Sequence, residues 1–203
     1  MKKLLLLLML TYCGYCNIFA QDSTTDSLKQ LIATTKEDTS RVLLMYQLGR
    51  SFANSKPDTA LTILGQALEL SRKIDFKKGQ VINLFLTGNV IMNKGNYPRS
   101  LEILLHALKI AEETGDDLNT GRIRGSLSDV YFYLGDIKRR LDYIRQALSV
   151  YRKINDSARI VGAITNMGDT YEKLDQLDSA LAYTALAYKI SVSQTIWTIK
   201  ALR

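Results

Sequence analysis

The sequence has few of the side chains that support metal binding or covalent catalysis. Its 203 residues include two cysteines, two prolines and one histidine. Both cysteines, Cys13 and Cys16, fall in the first twenty residues, and His106 stands alone. Thiolate or histidine metal sites need several such ligands close together, so we predict no metal, no cofactor and no catalytic residues. The scarcity of proline leaves long stretches free to form helices.

The first twenty residues have the three-part layout of a secretory signal peptide. Lys2 and Lys3 supply positive charge, residues 4–10 are uninterruptedly apolar, and the small residue Ala20 ends the segment. The apolar run is too short to cross a hydrocarbon core of about 30 Å. We therefore predict a signal peptide over residues 1–20 that is removed after Ala20.

Two alternatives stay open for this segment. An uncleaved segment would act as a membrane anchor. Cys13 also lies where a lipoprotein signal has its cysteine, although Tyr12 is bulky at a position where a small residue is required. If the signal is cleaved, the mature chain has no cysteine and forms no disulfides, even in an oxidising compartment. The prediction is an exported protein, periplasmic or associated with the cell envelope.

The charge of the chain is moderately basic. Loss of Lys2 and Lys3 with the signal lowers the formal net charge from +7 to +5. For an exported protein this indicates a solvated surface rather than a nucleic-acid partner. The basic run Lys138–Arg139–Arg140 has two readings, a solvated helix face, which is favoured, or a contact with an anion.

Internal repetition with a period of forty residues is the most informative feature of the sequence. Small residues and leucines recur at this step. Each period holds two segments with apolar residues at i, i+3, i+4 and i+7, which predicts two amphipathic helices. Short turns separate them, and both prolines fall where second helices begin. The recurring positions are Ala67, Ala107, Ala147 and Ala187; Leu61, Leu101, Leu141 and Leu181; and Gly49, Gly88, Ser128 and Gly168.

The small residues predict close contact between the paired helices. Gly49, Gly88, Ser128 and Gly168 would bring each first helix onto its partner, and Ala60, Ser100 and Ala180 would do the same from the second helix. The third period departs most from the pattern. There Ser128 replaces the glycine, Gly125 lies in mid-helix, and Arg140 replaces the small residue of the second helix.

The pattern resembles the tetratricopeptide (TPR) repeat. The residues that carry the resemblance are Leu48–Gly49, Met167–Gly168 followed by Tyr171, Ala60–Leu61 and Ala180–Leu181. It covers about residues 40–194, with forty-residue units similar to the long-helix subgroup. The resemblance implies an all-α fold, a right-handed α-solenoid of antiparallel helix pairs.

The forty-residue period determines the predicted organisation of the chain. Residues 21–39 hold an N-terminal capping helix, and four repeats occupy about 40–74, 75–114, 115–154 and 155–194. Residues 195–203 are either the start of a fifth repeat or a C-terminal cap.

The resemblance also implies a concave groove lined by the first helices, where a protein or peptide binds. Carried onto this sequence, its groove-facing positions include Met92, Gly125 and Glu172. For each aromatic residue among these positions, burial between helices is an equal alternative. The candidate groove residues are Tyr46, Arg50, Asn54, Phe85, Asn89, Asn93, Asp129, Phe132, Tyr133, Asp169 and Lys173.

Three functions fit this sequence. The leading prediction is an exported interaction module, the sensory or scaffold part of a signalling protein, similar in layout to the periplasmic TPR segment of bacterial sensor histidine kinases. The alternative is a free-standing periplasmic assembly scaffold. A helical-array enzyme using Asp129 and Asp169 is a distant third. Membrane attachment is expected only through an uncleaved signal or a segment downstream of Arg203.

Overall fold

Helices provide the regular structure of the chain. The computed structural model describes residues 24–201, with side chains as far as residue 193, so the predicted signal peptide lies outside the described residues. Within that range no residue belongs to a β-strand, which confirms the all-α class. The helices are α1 (residues 24–34), α2 (Thr39–Phe52), α3 (Pro57–Lys73), α4 (Lys77–Asn93), α5 (Tyr97–Glu113), α6 (Asp117–Tyr133), α7 (Ile137–Lys153), α8 (Ser157–Lys173) and α9 (Leu177–Ala201).

The turns recur every twenty residues, which is half of the forty-residue period. From the turn between α3 and α4 to the turn between α8 and α9, each has one residue with positive φ, and the amide that follows it bonds back into the preceding helix, as at Asp136 N to Tyr131 O (2.9 Å). This is the Schellman closure that glycine and asparagine favour. The positive-φ residues are Asp75, Gly95, Gly115, Gly135, Asn155 and Asp175.

The residue after the turn begins the next helix in four of these places. The Asp116, Asp136 and Asp156 carboxylates and the Asn96 amide oxygen each accept a hydrogen bond from the backbone N–H three residues on, at 3.0–3.2 Å. Such caps satisfy a donor that the helix itself leaves unpaired. One short sequence therefore both ends one helix and starts the next.

The chain forms two compact units, one ending at Gly79 and the other starting at Gln80. In the first unit α2 packs against α3. A Cβ placed on Gly49 would lie 2.8 Å from Leu64 Cδ2, so the helices meet where the side chain is missing. Val42, Leu64 and Ala67 are fully buried there.

In the second unit each helix packs on its neighbour along the chain. A Cβ on Gly88 would lie 2.7 Å from Leu104 Cδ2, and the Ser100 hydroxyl donates to the Gly88 carbonyl at 2.8 Å. These contacts confirm the predicted role of the small residues. The largest fully buried side chains of this unit are Leu104, Ile123, Leu127, Ile144 and Ile164.

The last helix is longer than the other helices in the described part of the chain. The twenty-residue stride predicts a turn near residue 195, but α9 continues to Ala201 without one. The predicted start of a fifth repeat is therefore, in backbone terms, an extension of α9 as far as the described residues go.

Candidate functional site

Three predicted groove residues lie in the first unit. Tyr46 is half-buried on α2, Arg50 is exposed near the end of that helix, and Asn54 is exposed just beyond it. The other eight candidate residues belong to the second unit.

On α4, Phe85 is buried rather than presented to a ligand. Its ring is 8% exposed, and the Arg122 guanidinium carbon lies 4.6 Å from the ring centroid. For Phe85 the alternative of burial between helices is therefore the correct one, because Arg122 covers it from α6. Asn89 is half-buried, with an Oδ1 atom that is buried and has no hydrogen-bond partner, and Asn93 is exposed.

The other five predicted residues come together in one cleft of about 380 Å³, which we call the α6–α8 cleft. It is formed by the last turns of α6 and α8, with the start of α7 and one residue of α4. The C-terminal halves of two first helices thus supply most of its polar groups. The cleft is lined by Met92, Asp129, Phe132, Tyr133, Arg140, Asp169, Glu172 and Lys173.

Arg140 forms part of this cleft, which the sequence did not predict. It occupies the place of Ala60, Ser100 and Ala180 in the other repeats, yet it is only 6% exposed. The favoured reading of the basic run as a solvated face is therefore wrong for this residue. Its Nε–H donates to the Thr170 hydroxyl at 2.7 Å.

The Arg140 guanidinium is held between an aromatic ring and a hydroxyl. Its Cζ lies 4.1 Å from the Phe132 ring centroid, within the range of a cation–π contact. Among the described residues, Thr170 is its one hydrogen-bond partner, and no carboxylate lies within ion-pair distance of it. The two terminal nitrogens therefore retain donors in a planar fork, the geometry that suits a carboxylate or a carbonyl oxygen.

In the cleft, burial and neighbouring charges shift the pKa values of Asp129 and Arg140 in opposite directions. Burial raises the pKa of Asp129, and the nearby Arg140 partly reverses that shift. Burial likewise lowers the pKa of Arg140, while Asp129, Asp169 and Tyr133 act in the opposite direction. In both cases the loss of hydration is the larger effect. The cleft therefore holds charges that are only partly compensated, which a bound polar ligand would stabilise.

Aromatic rings form one wall of the cleft. Tyr133 is 55% exposed and stacks on Tyr97, with 4.9 Å between ring centroids and 3° between the planes. The Phe132 ring meets Tyr133 edge to face at 5.5 Å. An exposed, pre-ordered tyrosine offers a flat apolar surface with a polar tip, which is typical of binding surfaces.

His106 is exposed on α5 and does not line the cleft. No group of three or more histidine, cysteine, aspartate or glutamate residues in the described part is arranged to hold a metal ion. Over residues 24–201, none of the helices combines the length and apolar composition that a membrane span requires.

Antiparallel helix pairs with a ligand-sized cleft on their first helices form an all-α, TPR-like solenoid. Residues 80–153 match the family model described as tetratricopeptide repeat. The chain is 25% identical over 153 residues to human tetratricopeptide repeat protein 29, which covers 75% of this chain and 31% of that protein. The homologue from Macaca fascicularis is also 25% identical, over 160 residues. The chain spans about a third of the length of these curated relatives.

Solved structures agree with this fold. A Rap protein complexed with competence and sporulation factor has a TM-score of 0.78 at 16% identity, over 91% of this chain and 52% of that one. A signal transduction ATPase with a tetratricopeptide repeat sensor, from Pyrococcus horikoshii, has a TM-score of 0.76 at 16% identity, over 88% and 28%. The BtubC protein from P. vanneervenii has a TM-score of 0.71 at 18% identity, over 85% and 71%. At these identities the likeness establishes the fold alone, an all-α TPR-like solenoid.

Proposed function

We propose that this chain is an extracytoplasmic module that binds a peptide or a peptide segment of a protein, as the sensory or scaffold part of a signalling protein. The observation that carries the proposal is the α6–α8 cleft. Five residues assigned to binding from the repeat pattern meet there, together with the buried Arg140. A volume of about 380 Å³ is in the range of small-ligand sites.

The chemistry of the cleft suits a peptide better than a purely apolar or a purely ionic ligand. Arg140 and Lys173 supply donors for carbonyl or carboxylate oxygens. Asp129, Asp169 and Glu172 accept from backbone amides or basic side chains. Tyr133 offers its exposed face to an apolar side chain. This combination of an aromatic anchor with both signs of charge matches the mixed composition of a peptide.

Two of the structural neighbours support a sensory role. The Rap structure is a complex with competence and sporulation factor, and the archaeal ATPase carries its tetratricopeptide repeats as a sensor. Our proposal extends recognition of that kind to this chain, with the α6–α8 cleft as the recognition site.

Export and signalling are the further parts of the proposal. The layout of residues 1–20 supports export, with removal after Ala20. An exported array of forty-residue units is similar to the periplasmic TPR segment of sensor histidine kinases. A free-standing scaffold for other envelope proteins is the alternative, since it needs the same repeats and the same signal.

The binding proposal can be tested with residues 21–203 and a display library of random peptides. The variant Tyr133→Ala/Asp169→Ala/Lys173→Ala removes an exposed ring, acid and base from the cleft. The matched control Glu102→Ala/His106→Ala/Lys109→Ala removes an exposed acid, ring and base from the second helix α5. We expect selected peptides to bind the cleft variant at least about tenfold more weakly, a loss of about 1.4 kcal/mol, and to bind the control normally. Equal binding to all three proteins would refute the assignment.

Export and molecular context need separate tests. Fractionation of cells that express the whole gene, with N-terminal sequencing, should place a chain starting at Gln21 outside the cytoplasm. A cytoplasmic chain with an intact N-terminus would refute export. In the source gene, an open frame after Arg203 with an apolar stretch of about twenty residues favours the sensor, and a stop codon favours the scaffold.

A further inference from the structure

Two side chains fill the interface between α4 and α6, and the interface between α6 and α8 lacks both of them. Phe85 of α4 is buried beneath the Arg122 guanidinium of α6. Arg122 is also held by its own helix, where its Nη1 donates to the Asn119 side-chain oxygen at 3.1 Å. The ring and its cover thus fill the space between successive first helices.

Forty residues later both members of this pair are glycine. Gly125 of α6 stands in the place of Phe85, and Gly162 of α8 stands in the place of Arg122. A cavity of about 270 Å³ lies at this point, bordered by both glycines, Ser128, Ala147 and Asn166. A Cβ on Gly162 would have no atom within 4 Å, so the wall on that side is open.

Tyr151 of α7 fills only part of the missing volume. It replaces the Ala111 of the preceding repeat, and its ring packs on Gly121, where a Cβ would lie 2.6 Å from Cε1. Its hydroxyl reaches to 3.4 Å from the Cβ position of Gly125. The tyrosine therefore forms the floor of the cavity and leaves the space above it unfilled.

The floor also has an unused polar group. Tyr151 is 7% exposed, and within the described part of the chain its hydroxyl has no hydrogen-bond partner. The Asn166 side-chain amide, on the α8 wall, likewise has no protein partner among the described residues. Arg159 also borders the cavity, so apolar atoms, two polar groups without a protein partner and one cation surround the space, a composition that suits a ligand subsite.

We propose that this cavity is a subsite for an aromatic side chain of a peptide partner, whose ring takes the space that Phe85 takes in the preceding interface. The Tyr151 hydroxyl and the Asn166 amide then bond to polar atoms of the ligand. This inference rests on the proposed peptide-binding function. Gly125 and Asp129 lie one turn apart on α6, so the aromatic subsite and the α6–α8 cleft are formed by neighbouring turns of the same helix.

The test uses single blocked amino acids as probes of the mature chain, residues 21–203. We expect N-acetyl-L-phenylalaninamide and N-acetyl-L-tryptophanamide to bind saturably, with affinities on the order of millimolar, as for ligands of this size. In NMR titrations the backbone amides of Gly125, Gly162 and Asn166 should shift most. N-acetyl-L-alaninamide and N-acetyl-L-lysinamide should bind at least about tenfold more weakly. Equal binding of the lysine probe, or shifts centred elsewhere, would overturn the aromatic assignment.

The decisive variant is one that fills the cavity with a side chain of the protein itself. Gly125→Phe restores the side chain found at residue 85 and should abolish probe binding while the protein stays folded. Gly65→Phe is the control, because Gly65 is also a helical glycine, and a side chain there would meet no atom within 4 Å of its Cβ position. If Gly125→Phe fails to fold, Gly162→Met enters the cavity from the opposite helix. A folded variant that binds the aromatic probes as the wild type does would disprove the subsite.

The cleft variant separates this inference from the proposed function. Tyr133→Ala/Asp169→Ala/Lys173→Ala tests the proposed function, and Gly125→Phe tests the subsite. If that variant loses peptide binding while Gly125→Phe keeps it, the subsite alone is wrong. If Gly125→Phe loses the probes while no peptide depends on the cleft, the subsite stands and the proposed function fails.

Discussion

The Arg140 guanidinium carbon lies 4.1 Å from the centre of the Phe132 ring, and its Nε–H donates to Thr170 of the next first helix. One side chain of α7 thereby connects α6 and α8 at the base of the α6–α8 cleft. In the other repeats this position holds alanine or serine and makes no such connection. The least regular repeat is therefore the one in which the cleft is built.

The contact between Arg140 and Phe132 should be measurable as a coupling energy. A double-mutant cycle with Arg140→Met and Phe132→Leu removes the cation and the ring separately and together. For a buried arginine on a half-buried ring we expect a favourable coupling of about 0.5–2 kcal/mol in the free energy of unfolding. Urea unfolding monitored by circular dichroism measures it. A coupling indistinguishable from zero would show that the two groups do not interact in solution.

The carboxyl group of Asp129 should titrate above its ordinary range. Burial raises its pKa and Arg140 opposes that rise, so Arg140→Met should raise the pKa of Asp129 further. Because the folded pKa is the higher one, this group favours the folded state at low pH. Its contribution to the free energy of unfolding is lost as the pH rises from about 4 through the pKa of the folded state. Carbon-13 NMR titration of the aspartate carboxyl groups measures both values, and a lower pKa in the variant would contradict the assigned causes.

Two helical glycines should respond in opposite directions to alanine. A Cβ on Gly88 would lie 2.7 Å from two Leu104 atoms, so Gly88→Ala should destabilise the protein by about 1–3 kcal/mol through overpacking. Gly162 has open space at the same place, so Gly162→Ala should stabilise it by about 0.5–1 kcal/mol through helix propensity alone. Urea unfolding compares the two, and a shared sign would show that helix contact does not decide the choice of glycine.

The sequence predicts the fold well because the fold depends on short, repeated rules. Gly95, Gly135 and Asn155 mark turns through backbone geometry, and Gly88 marks a helix contact through the absence of a side chain. Each of these effects is local or recurs at a fixed stride. The resemblance to the TPR family, carried along the same repeat, implied the first-helix positions of the cleft, and Asp129 and Asp169 occupy equivalent places in successive repeats.

The parts that the sequence did not predict depend on exceptions to the repeat. Arg140 is charged and lies in a charged run, so composition alone favours a solvated face. Only the neighbouring Phe132 and Thr170, thirty residues beyond it, make its burial tolerable. Phe85 was misassigned for a related reason, because Arg122 covers it from another repeat. A usable signal existed in the pattern, namely an arginine at a position where the other repeats have small residues.

The cap at Asp156 should make stability depend on pH in acid. The hydrogen bond from the Arg159 backbone N–H has the largest effect on Asp156 and lowers its pKa. Burial, the next largest effect, raises the pKa, and the Arg159 side chain lowers it again. A lowered folded pKa contributes stability that is present above about pH 4 and is lost as the pH falls through the folded value. Asp156→Ala should therefore cost about 1 kcal/mol at pH 7 and little at the acid end. The exposed Asp142, changed to alanine, serves as the control, and a cost independent of pH would exclude the carboxylate as its source.

The turn glycines should tolerate asparagine better than alanine. Gly135 has φ of +78° and no atom within 4 Å of its Cβ position, so the cost of a side chain there is conformational and not steric. Gly135→Ala should destabilise the protein by about 1–2 kcal/mol, because the left-handed region disfavours a Cβ. Gly135→Asn should cost less, because Asn155 already adopts this conformation at the equivalent turn. Gly65 serves as the control, because it lies in a regular helix and also has no atom within 4 Å of its Cβ position. Gly65→Ala should stabilise the protein through helix propensity. If alanine is tolerated at 135 as well as at 65, the left-handed turn is not the conformation that the chain holds in solution.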